Sequence, residues 1–98
     1  MSIIPPAGKF FVSFSASGNG DTADQKQEYA IFLGGVIVPH TMRYLDFDTT
    51  NGTRFLRQTL HTQGVITTTG AEIIDVRHKT DVGVFTIYER NLTVLQLL

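Results

Sequence analysis

Cysteine is absent from these 98 residues. No disulfide can staple the fold, and a reducing compartment is compatible with it. Charge is scarce as well. Asp, Glu, Lys and Arg make up 17% of the chain against 42% hydrophobic residues, with a net charge of −1. Without a basic excess, counterion release has nothing to draw on, which argues against a nucleic-acid partner. No apolar run approaches the ~18 residues a spanning helix needs, so no membrane helix is expected. The start, MSIIPPAGK, lacks the basic opening and apolar core of a signal peptide. Asn51-Gly52-Thr53 and Asn91-Leu92-Thr93 match the glycosylation pattern, but they carry little weight without a secretory signal.

What is present is β-branched, aromatic and punctuated by turns. A single domain is expected from the length, with an extended arm over residues 1–8 and one β domain over 9–98. Pro5 and Pro6 remove two backbone donors from the arm. Ile3 and Ile4 would be wasted on a free tail, so they dock either on a partner or on their own domain. Phe10, Val12, Phe14 and Ala16 alternate with Phe11, Ser13 and Ser15, the period of a half-buried strand. Residues 17–27, SGNGDTADQKQ, read as the longest loop. Further strands are expected at 28–33, 36–38, 41–48, 64–69, 73–79, 82–90 and 92–98. Gly34-Gly35 is the turn of a tight hairpin. Residues 53–62 suit a strand or a short helix, and the β-rich context favours the strand. About eight short strands with no clear helix indicate an antiparallel sandwich or barrel.

Four segments carry a resemblance. Gly8-Lys9-Phe10-Phe11-Val12-Ser13-Phe14 is similar to a "Gly-x-aromatic-x-apolar-x-aromatic" strand, and residues 29–38 to a "strand, Asn-Gly turn, strand" hairpin. Gly64-Val65-Ile66 leading into residues 71–77 looks like a "Gly-Asp-x-apolar-x-apolar" strand, and residues 90–97 like a closing strand. Together they resemble the jelly roll of the tumour necrosis factor superfamily and the complement-type globular heads, including viral and bacterial relatives. The chain departs from that pattern at Gly34, where Asn is usual, and at Ala71-Glu72, where Gly-Asp is usual. Seven residues precede Gly8, so against that pattern one or two early strands are expected to be missing or supplied by a neighbour.

The resemblance implies a β-sandwich of jelly-roll type that assembles as a homotrimer. Strand alternation then sends Phe10, Val12, Phe14, Ile74, Val76, Leu92 and Val94 inward. Phe11, Ser13, Ile73, Asp75, Arg77, Leu95 and Leu97 point away from the core, toward neighbouring subunits, with Asp75 and Arg77 positioned to pair across the interface. A 98-residue chain buries only about 60–65% of its unfolded surface. With no disulfide or evident metal, association is the remaining source of stability.

Candidate chemistry is sparse. His40, His61 and His78 have no metal-like spacing. Asp21 and Asp24 make an oxygen-rich loop without the spacing of a calcium site. Asp46 and Asp48 share a strand side but no evident cleft. Ser13, Ser15 and Ser17 lack a nucleophile motif and a visible histidine partner. Arg54, Phe55 and Arg57 mix basic and aromatic character, and Tyr29, Tyr44 and Tyr88 are the candidates for stacking on a sugar. The expectation is therefore no enzyme, no cofactor and no metal. The expected role is a virion structural protein, a trimeric decoration protein or small knob on a phage or virus particle, assembled in the host cytoplasm. Ile3, Ile4, Pro5 and Pro6 would attach it to a major capsid protein or another virion component. A trimeric carbohydrate- or receptor-binding head is the alternative.

Overall fold

The computed structural model describes residues 1–20, 24–47 and 58–97. Among these the chain is all β, with no helix. In chain order the strands are β1 (Ser2–Ile3), β2 (Gly8–Gly20), β3 (Gln25–Leu33), β4 (Val36–Ile37), β5 (Arg43–Phe47), β6 (Gln58–Thr68), β7 (Ile74–Thr80) and β8 (Phe85–Leu97). They form two antiparallel sheets packed as a sandwich. One has the order β1-β7-β3-β4, with β5 also on β3, and the other has the order β6-β2-β8. Pairings are nested: β2 meets β8, and β3 meets β7.

β2 is the spine of the smaller sheet, hydrogen-bonded to β6 on one side and to β8 on the other. Its alternation is strict. Phe10, Val12, Phe14 and Ala16 are buried between the sheets, while Phe11, Ser13 and Ser15 lie on the outer side. The inward residues meet Tyr29 and Ile31 of β3, Ile74 of β7, and Leu60 and Ile66 of β6 in two adjoining clusters. The inward assignments of Ile74, Val76, Leu92 and Val94 hold as well.

Two expectations need correction. Residues 17–27 are mostly strand: β2 runs through Gly20 and β3 begins at Gln25. Polar composition hid this, because the inward positions there are glycines and glutamines. A Cβ on Gly18 would come within 2.5 Å of the Phe85 ring, so only glycine leaves that ring its place. Gln25 and Gln27 are wholly buried, and Gln25 Nε2 donates to Thr80 Oγ1 at 2.8 Å. Second, the two strands expected at 82–90 and 92–98 are one. A register shift opposite Ser15–Ser17 places a bulge at Glu89–Arg90, with Glu89 at φ 51°. The extra residue changes the parity of the strand. Phe85 and Ile87 point inward before it, and Leu92 and Val94 after it. Of the stretch 53–62, where the β-rich context favours strand over a short helix, residues 58–62 are strand as expected and 53–57 lie outside the described residues.

Short contacts fix the connections. Gly34 and Gly35, at φ 57° and 82°, close the hairpin that pairs Leu33 with Val36. The buried Thr41 hydroxyl accepts from Ile31 N–H and donates to the Val38 carbonyl, and Thr62 donates to the Thr41 carbonyl across the sandwich. At the β6–β7 corner, Glu72 Oε1 accepts from the Thr68 and Thr69 hydroxyls at 2.8 and 2.7 Å and from Thr69 N–H at 2.9 Å. The Thr69 and Thr68 hydroxyls, followed by backbone N–H groups, hold the Glu72 carboxyl down from 4.5 to about 2. A depressed carboxylate stabilises the fold above its unfolded value and loses that contribution as pH falls through its folded value. We therefore expect Glu72→Gln to be less stable than wild type at neutral pH. The difference should shrink between about pH 4.5 and pH 2 in urea midpoints taken across that range. A difference independent of pH would show that the carboxylate charge is not what pins the corner.

Candidate functional site

Pairing register brings the outward residues of β6, β2 and β8 into rows. Phe11 sits between Val65 and Leu95, and Lys9 between Thr67 and Leu97. Ser13 sits between Gln63 and Thr93, Ser15 between His61 and Asn91, and Ser17 between Thr59 and Tyr88. Lys9 is the single Asp, Glu, Lys or Arg in these rows. Glu89 and Arg90 lie in the bulge at the β8 margin. One end of the face is apolar: Val65 is 51% exposed, Leu95 56% and Leu97 38%, with Phe11 half-buried among them. The other end carries hydroxyls, amides and an imidazole.

The expected interface set does not share this face. Phe11, Ser13, Leu95 and Leu97 belong to it, but Asp75 and Arg77 stand on the outside of the other sheet, where β7 is paired to β3. Ile73 lies just ahead of β7, 47% exposed. Alternation tells which way a residue points from its own sheet and leaves open which sheet holds the strand. The Asp75–Arg77 pair also forms within one chain, at 2.9 Å, with the guanidinium 4.6 Å above the Phe32 ring. Beneath it a depression of about 200 Å³, floored by the buried Ala30, is flanked by Glu28, Lys79 and His78. Burial, then the nearby Arg90 charge, lowers the His78 imidazole below its ordinary value.

The arm residues lie along their own domain. Ser2 and Ile3 pair with Asp75 and Ile74, and Pro5 is buried, while the side chains of Ile3, Ile4 and Pro6 remain exposed. Tyr29 belongs to the core. Its hydroxyl accepts from His61 N–H at 2.9 Å and donates to the His61 carbonyl at 3.2 Å, stitching β3 to the free edge of β6. Tyr44 is exposed on β5, and Tyr88 is half-buried on β8. His61 Nε2 also comes to 3.5 Å from Ser13 Oγ, a histidine partner that sequence reading did not find. That distance on an open face is long for an activated nucleophile. Asp24 and Asp46 are exposed, while Asp21, Asp48, Arg54, Phe55 and Arg57 lie outside the described residues. Among the described residues no three His, Cys, Asp or Glu side chains gather to hold a metal.

Comparison with family models, curated proteins and solved structures finds no match. The face itself is therefore what the chain offers for reading its role. Val65 is the member of the apolar end that sequence reading omitted. Its signal was present, since it has the parity opposite to the inward Leu60 and Ile66.

Removing the Tyr29 hydroxyl leaves His61 N–H without this partner. Tyr29→Phe should cost about 1–2 kcal/mol in chemical denaturation, with the fold intact by circular dichroism. An unchanged midpoint would show that the stitch carries no net stability.

Proposed function

We propose that this chain is a structural subunit that acts by assembling with copies of itself through the outer face of β6-β2-β8. The assembly is a homotrimer serving as a decoration protein or small knob on a virus particle. The observation that carries the assembly reading is the near absence of charge across three long paired strands. Protein surfaces ordinarily intersperse charges of both signs, whereas the centres of interfaces are depleted of them. Here Phe11, Val65, Leu95 and Leu97 form an apolar cluster on the outside of a sheet. A contiguous patch of that kind marks an interaction site.

The trimer and the virion setting draw on the resemblance to jelly-roll heads, which is analogy, not site chemistry. Particle attachment falls to the exposed Ile4 and Pro6, since Pro5 is buried and Ile3 is paired to the domain itself. The carbohydrate-binding alternative has less to stand on. Tyr29 is consumed in the core and Tyr44 lies on β5, so of the three tyrosines the face carries Tyr88.

Light scattering on the purified chain should give three times the 10.9 kDa subunit mass. Leu95→Glu places like charges together in the apolar cluster and should yield monomer or aggregate, whereas Tyr44→Glu on the other sheet should leave the mass unchanged. A wild-type protein that runs as a well-behaved monomer would overturn the reading. So would a Leu95→Glu variant with unaltered mass.

A further inference from the structure

The two sheets are unequal on one side. Contacts of β6 with Thr41 and Tyr29 place it beneath the β4/β5 side of β3. Because β8 lies on the opposite side of β2 from β6, it falls beneath β7. The larger sheet then continues by one more strand, β1, while the smaller sheet stops at β8. Residues paired directly across strands point to the same side. Ile3 pairs with the inward, fully buried Ile74, so it too points toward the level of the other sheet. Yet Ile3 is 43% exposed, and among the described residues no strand lies opposite it.

The rim of that gap is the C-terminal half of β8, Asn91–Leu97. Among the described residues its backbone is bonded to β2 alone. It carries no charged residue, no proline and no bulge, the devices that blunt a free edge. The edge of β6 is treated differently, since the Tyr29 hydroxyl occupies both backbone groups of His61.

We infer that the position beside Asn91–Leu97 and opposite Ile3 is a strand-acceptor site that takes an extended, uncharged segment of a second polypeptide with apolar residues at alternate positions. Main-chain hydrogen bonds supply the affinity in this mode, and the alternate side chains supply the fit. Inward residues of the guest meet Ile3, and its outward residues extend the apolar cluster beside Leu95 and Leu97. A second whole sandwich joined β8 to β8 does not fit. The β1 and β7 of both copies would need four strand positions above the two that their β8 strands provide. The described strands of this chain are all paired already, so none of them supplies the guest. This inference rests on the edge of the sheet, and the assembly reading rests on its face.

The test is amide hydrogen exchange of the full chain with a synthetic peptide copying residues 10–16, which is free of charged side chains and has the required alternation. Alternate amides of Asn91–Leu97, those not bonded to β2, should slow by roughly tenfold or more. The same peptide N-methylated at alternate residues should leave them unchanged. Ile3→Asp should weaken the protection by the unmodified peptide without altering the mass of the assembly. No added protection, or equal protection by the methylated peptide, would overturn the site. Protection of these amides without peptide, lost on dilution as the assembly dissociates, would overturn the guest's identity by giving the position to a neighbouring copy. Solution mass is read separately, so failure of the trimer and failure of the acceptor edge are distinguishable.

Discussion

The structure depends on the pleat of one strand. β2 is paired on both sides along most of its length, so each of its side chains must point either between the sheets or out of them. Phe10, Val12 and Phe14 take the first route and seed the two core clusters. Phe11, Ser13 and Ser15 take the second and set the centre line of the uncharged face. Core and candidate interface are therefore two sides of the same residues, and a one-residue slip would exchange them. β6 and β8 inherit their facing from β2 through register, and the bulge at Glu89–Arg90 keeps both halves of β8 facing correctly.

Polar side chains do more inside this sandwich than its apolar composition suggests. The core tapers toward one end into Gln25, Gln27 and Thr80, and toward one edge into Thr41 and Thr62. Buried hydroxyls and amides of this kind need their partners, which makes them specific about geometry where apolar contacts are tolerant. Tyr29 belongs to the same set. Its ring packs against Phe14 while its hydroxyl reaches the backbone of β6. The sheets are thus tied along the β6 side and left open along the β8 side, where β1 overhangs. The smaller sheet consequently has one edge that is finished and one that can accept a strand.

By itself the sequence determined the all-β class, the alternation of β2, the Gly34-Gly35 hairpin and the inward facing of Ile74, Val76, Leu92 and Val94. Each is a local property: a period of two, a turn that requires positive φ, or a run of β-branched residues. Composition misled at residues 17–27, where inward glycines and glutamines replace the apolar residues that mark a strand. It misled again at β8, where a bulge resembles a turn from within the sequence. Only the tertiary structure decided which sheet each strand joined. That choice placed Asp75 and Arg77 on the opposite outside from Phe11 and Leu95, brought Val65 beside Phe11, and left Ile3 with no described strand opposite it. The physical reason is that pleat direction is encoded residue by residue, whereas strand partnership comes from backbone hydrogen bonds that carry no side-chain signature.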